Sequence, residues 1–167
     1  KLTPAPKLER YPLMPIQQGI YVQSHFEDGQ LAYHMPGAFR LPAEADLNRI
    51  QQAFRDLIAW DPVLRTSFKQ DPDGVYAYVN DRVPFDIPVL QGEDQEEVFR
   101  KFLRPFSLEE APLLRAAFWC RPDGRWLLLL DMHHMIGDGL STPLLIRRLD
   151  ELYCGKRLSE LGVSYLD

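Results

Sequence analysis

The stretch "RWLLLLDMHHMIGDG", residues 125–139, constrains the fold more than any other part of the chain. Its first half is a nearly unbroken apolar run of strand length. A strand with one face in water alternates apolar and polar residues; a run like this one predicts a strand buried on both faces. The chain must therefore supply cover for two faces. Gly137 and Gly139 end the strand signal, and "STPLLIRRLDELYCG" (141–155) opens a helix. There Ser141 or Thr142 is suited to the N-cap, Pro143 to the first turn and Gly155 to the C-terminal cap.

The rest of the sequence offers that cover. "EADLNRIQQAFRDLIAW" (44–60) places Leu47, Ile50, Phe54, Leu57 and Ile58 on one helical face. "PIQQGIYVQSHF" (15–26) predicts a short helix with Pro15 in its first turn, and "EDQEEVFRKFLRPF" (93–106) one with acids at its dipole-favoured end. "AYHMPGAFRL" (32–41) reads as a strand, at an edge or irregular because of Pro36. "DPDG" and "RPDG" are turn sequences that make hairpins of 64–80 and 113–133. Strands, hairpins and helices so interleaved predict an α/β sandwich, helices packed on a mixed, largely antiparallel sheet.

The 167 residues suffice for one domain with a real core. A net charge of −5 argues against nucleic acid as partner, since phosphate binding needs a basic face. No apolar run reaches the length of a membrane span, and "KLTPAPKLERYPL" has no signal-peptide core. Cys120 and Cys154 form no CxxC or disulfide framework, so a reduced, cytoplasmic setting is the default. The Pro-rich residues 1–10 read as a linker arriving from something upstream, with the domain over 11–167. "VSYLD" carries no stop signal, so the chain reads as a piece of something longer.

The chemistry concentrates at the end of the apolar strand. Neighbouring strand residues point to opposite sides, so His133 and His134 should not face one site. One faces a cavity and the other packs inside. The plainer reading, that both are satisfied core or surface residues, loses ground to two His, two Gly and an Asp delivered together by a buried strand. A metal site of His133, His134 and Asp138 is disfavoured, because the imidazoles diverge and no further ligands complete a shell. "GLSTP" (139–143) resembles a nucleophile elbow, but Ser141 before Thr-Pro is more simply a helix cap. What remains is one imidazole acting as base or hydrogen-bond partner. Asp138 would anchor the loop by pairing with an arginine, for which Arg65 is the candidate; the alternative for Arg65 is a solvated strand charge.

"HHMIGDG" fits the HHxxxDG motif of the condensation domains of nonribosomal peptide synthetases, in the chloramphenicol-acetyltransferase-like superfamily, and the chain resembles that family in other stretches too. "VLRTSF" fits the end of its second motif, "YPLMPIQQGIY" is similar to the first, and "RPFSLEEAPLLR" and "VSYLD" match its framework. The departures are Trp60-Asp61 for a usual His-Glu, Gly19 for a frequent Arg and Gly137 for a common Ser. The resemblance covers only the first of the family's two lobes. It implies the chloramphenicol-acetyltransferase-like two-layer sandwich, with His134 as catalytic residue, His133, Asp138, Gly139 and Arg65 as motif and structural support, and Asp138 with Arg65 as a pair. Gly139 would allow close approach at a channel between the lobes. The implied reaction joins the amine of one carrier-bound acceptor to a donor thioester, both tethered by phosphopantetheine to carrier proteins, with no cofactor or metal bound directly. The implied partners are the C-terminal lobe and the donor and acceptor carriers. Two readings compete: an acyltransferase of the same superfamily with another thioester donor, and a non-catalytic recruitment module on this fold.

Overall fold

The computed structural model describes residues 7–26 and 30–159. Four strands form the sheet that organises the chain: β2 (His34–Arg40), β7 (Trp126–His133), β6 (Leu114–Cys120) and β5 (Val89–Leu90), in that order across the sheet. β2, β7 and β6 are antiparallel, and β5 runs parallel to β6. β1 (Tyr11–Pro12), β4 (Gly74–Val79) and β3 (Thr66–Asp71) make a second, antiparallel sheet. The sequence predicts the 64–80 hairpin; that it forms its own sheet is decided by tertiary packing.

The apolar run is central, as its composition requires. Leu128, Leu130 and Met132 face one core with Phe54, Leu57 and Ile58 of α2 (Leu47–Trp60) and Leu145 and Leu149 of α4 (Ser141–Tyr153). Leu127 and Leu129 face the other way, onto Val98 and Phe102 of α3 (Gln95–Phe102), beside Ala117 and Trp119. Each fully buried leucine contributes about 1.5–3 kcal/mol, so both faces of β7 matter to stability.

The helix ends follow local chemistry. α2 starts at 47 rather than 44 because Asp46 accepts the Asn48 and Arg49 N–H groups at 2.9 and 3.1 Å. α3 starts after Asp94, which accepts the Glu97 N–H at 3.0 Å, and stops before Pro105, short of the predicted 106. α1 (Pro15–Ser24) carries its proline in the first turn, and Gly155 closes α4 with φ +78°. At the start of α4 the predicted cap is corrected. Neither Ser141 nor Thr142 caps it; the Asp138 carboxylate accepts the Leu140 and Ser141 N–H groups, both at 3.0 Å. Trp60 and Asp61 fasten α2 to α4: Arg148 lies over the Trp60 ring, and its Nη1 is 3.4 Å from Asp61 Oδ2. Asp61 also accepts the Val63 N–H, and burial nevertheless raises its carboxyl above the ordinary range.

Candidate active site

β7 delivers His133 as its last strand residue, directly opposite His34 of β2. The pleat turns His133 inward, where it is 1% exposed. His134 follows in the turn, partly exposed, with its backbone N–H donating to the Tyr33 carbonyl at 2.8 Å. The two histidines thus differ in burial, one inside and one partly in water. Met135 and Ile136 are buried in the main core, which pins the turn from beneath. The Gln17 side chain of α1 adds a bond, its Nε2 donating to the Met135 carbonyl at 3.0 Å.

The two histidines differ chemically. His133 Nδ1 accepts the Met135 N–H at 3.1 Å, so that nitrogen carries no proton. The ring is then neutral with its proton on Nε2, 3.4 Å from Ser24 Oγ of α1. Burial chiefly, with His34 next, pushes His133 down to about 4. The His134 ring stands edge-on to Tyr33, centroids 6.4 Å apart, and among the described residues has no hydrogen-bond partner.

Asp138 and Arg65 do not meet, which corrects the predicted pair. Asp138 Oδ1 takes the Leu140 and Ser141 amides and the Ser141 hydroxyl (2.8 Å), and these bonds hold its carboxyl below the ordinary range. Arg65 spends its guanidinium on carbonyls: Nε donates to Ile58 at 3.0 Å, and Nη1 to Asn80 and, at 3.4 Å, to Asp81. A carboxylate next to free helix N–H groups finds them first, because they are two and three residues away in sequence. Arg65 meets the Ile58 carbonyl, left over near the end of α2, for the complementary reason; its other two acceptors, Asn80 and Asp81, follow β4. Asp138 still anchors the loop, through the helix and not through an arginine. A Cβ at Gly139 would meet nothing within 4 Å, so the space beside it is open.

A neighbouring group escapes a reading of the sequence alone. Asp131 interrupts the apolar run and is 0% exposed. His34 Nδ1 donates to its Oδ2 at 2.8 Å, and Arg115 of β6, directly across from it, brings Nε to 3.8 Å. Phe106 stacks on His34 and lies under the Arg115 guanidinium. Burial pushes Arg115 down to about 10, against the opposite pull of Asp131. The signal in the sequence is a carboxylate inside a strand predicted to be buried on both sides, which demands a partner. Among the described residues no group of three His, Cys, Asp or Glu is arranged to hold a metal ion. No helix there is long and apolar enough to cross a membrane.

A family model for the condensation domain matches residues 7–167. A plipastatin synthase of Bacillus subtilis is 41% identical over 169 residues, covering 99% of this chain and 7% of that protein. Bacitracin synthase 3 of Bacillus licheniformis is 38% identical over 168 residues, covering 99% of this chain and 3% of that protein. The chain thus spans under a tenth of the length of the curated relatives it matches. Among solved structures, the X-domain in its complex with OxyB from teicoplanin biosynthesis superposes with a TM-score of 0.86 at 20% identity, covering 98% of this chain and 38% of that one. The starter condensation domain of rhizomide synthetase gives 0.78 at 21% identity, covering 92% of this chain and 41% of that one. The fold is the chloramphenicol-acetyltransferase-like α/β sandwich of condensation domains. With the motif at the strand end and the family model matched along nearly the whole chain, the protein belongs to the condensation-domain family.

Proposed function

We propose that residues 11–167 are the N-terminal lobe of a nonribosomal peptide synthetase condensation domain, with residues 1–10 as the linker into it and His134 as its catalytic residue. The observation that carries this is the contrast between the histidines: His133 is sealed and committed, while His134 is partly exposed and its ring has no hydrogen-bond partner among the described residues. In the reaction, the acceptor amine attacks the donor thioester carbon, a carbon–nitrogen bond forms, and the thiol of the donor carrier's phosphopantetheine leaves. His134 orients the amine, takes its proton or stabilises the tetrahedral intermediate. No cofactor is bound directly; phosphopantetheine arrives on the donor and acceptor carrier proteins. The setting assigned is the cytoplasm, where the exposed free Cys120 and Cys154 stay reduced.

The second wall of the site is assigned to a C-terminal lobe. The segments flanking the histidine turn carry apolar side chains in water: Ile16 (69% exposed) and Val22 on α1, and Leu140 (82%) and Leu144 at the start of α4. Such side chains support a lobe interface on this side. Holding two tethered substrates in line is worth about 7–11 kcal/mol, which one open wall does not provide, so the isolated chain is inactive. In the full-length synthetase, His134→Ala should lower amide formation by about 10²-fold or more, the scale of a general base. A loss of less than a few-fold would remove His134 from the chemistry. Dipeptide formed by the isolated chain at the full-length rate would overturn the two-lobe reading.

A further inference from the structure

Directly behind the histidine turn, on the sheet face that carries α3, lies the His34–Asp131 pair. The two side chains are 3% and 0% exposed. Among the described residues, His34 Nε2 and Asp131 Oδ1 are buried without a hydrogen-bond partner. A carboxylate so placed opposes folding unless its bonds compensate, and leucine fills the same face at 127 and 129. Packing alone gives no reason for Asp131.

Its position gives one. Among the described residues β2 is an edge strand, held by β7 on one side only, and His34 is its first residue. Strand ends of this kind fray. The residue before it, Tyr33, supplies the carbonyl that accepts the His134 N–H. The bond from His34 Nδ1 to Asp131 Oδ2 therefore fastens the end of β2 to β7 beside the carbonyl that holds His134. On the same face the His34 ring meets the His133 ring edge to face, centroids 5.6 Å apart, and His133 in turn receives the Met135 N–H. Both backbone amides of the turn, at 134 and 135, thus depend on groups next to the pair.

We propose that His34 and Asp131 are positioning residues for His134: their buried hydrogen bond locks the end of β2 and the His133 ring, and so fixes the turn that presents the reacting imidazole. The pair touches no substrate and acts through the Tyr33 carbonyl and His133. This rests on the reading of His134 given above.

Two substitutions at one position separate a hydrogen-bonding role from a packing role. His34→Phe keeps a ring to stack on Phe106 but has no donor for Asp131. His34→Asn restores an N–H at the same distance along the side chain but loses the stack. Both are made in the full-length synthetase. The readouts are kcat and KM for the loaded acceptor carrier, together with hydrogen–deuterium exchange of peptides spanning 131–137. His34→Phe should lower kcat about 10- to 100-fold at unchanged KM, the scale of a small misplacement of a reacting group. It should also speed exchange at the His134 and Met135 amides. His34→Asn should keep kcat within about threefold of the parent, because orientation is preserved. Unchanged kcat in His34→Phe, equal losses in both variants, or an effect on KM alone would overturn the proposal. If His34→Phe does not fold, the double variant His34→Phe, Asp131→Asn removes the unpaired buried carboxylate and leaves an amide oxygen for Arg115 Nε. It should keep the thermal midpoint and still lose kcat; restored kcat would overturn the proposal. His134→Ala is run in parallel. Should that change leave the rate intact, the catalytic reading fails, and the exchange data alone judge the pair: fast exchange in His34→Phe and slow exchange in His34→Asn support the positioning role, and unchanged exchange in both refutes it.

Discussion

Between pH 6.5 and pH 4 an imidazole in water takes up a proton, and His133 in the folded chain does not. Its ring is 1% exposed, its Nδ1 is occupied by the Met135 N–H, and its folded value lies at about 4. The sign follows from linkage. In this window the unfolded chain binds a proton at His133 and the folded chain does not, so stability falls as pH drops from about 6.5 to about 4 and is constant, for this group, above and below. A tenfold change in proton activity is worth about 1.36 kcal/mol, so the interval costs about 3 kcal/mol. His133→Asn removes the titration and keeps an acceptor, since an amide oxygen can take the Met135 N–H. Urea unfolding of both proteins, followed by tryptophan fluorescence at half-unit steps from pH 7.5 to 4, isolates the effect as the difference between two curves. Contributions of the carboxylates cancel in that difference. The parent should lose about 3 kcal/mol more than His133→Asn across the window. Parallel curves would mean that native His133 accepts a proton in this range, which is incompatible with Nδ1 as acceptor for Met135.

Asp138→Ala should cost about 1 kcal/mol, as the loss of a helix cap, and Arg65→Ala about 2 kcal/mol, as the loss of charged bonds to carbonyls. A double-mutant cycle of the two should be additive within about 0.5 kcal/mol; a larger coupling in urea unfolding would restore the ion pair. Leu140→Lys and Ile16→Glu should each weaken binding of a separately supplied C-terminal lobe by about tenfold, measured by titration calorimetry. Unchanged affinity in both would move the lobe interface away from α1 and the start of α4.

Periodicity and local turn chemistry are written within a few residues of one another, and they are legible in the chain. The run 126–133 predicts a strand buried on both faces, and β7 is that strand. The 3.6-residue pattern in 44–60 predicts α2, and alternation predicts that His133 and His134 part company. Even the true partner of Asp138 is local, an acid three residues before Ser141 at a helix start, the ordinary signature of a cap. The family motif points instead to a distant arginine, and the local bond prevails. Partners far apart in the chain are not legible in that way. His34 and Asp131 are 97 residues apart, and nothing in either segment names the other. Their meeting depends on the β2–β7 register, where His34 falls opposite His133 and Pro36 opposite Asp131. Register is set by the whole buried face at once, because a slip of one residue would turn every side chain to the wrong side. The sequence thus determined which side chains are inside and where the imidazoles stand along the strand. The tertiary structure decided which imidazole meets the buried charge of Asp131, since a hydrogen bond is a matter of ångströms between strands and not of spacing along one of them.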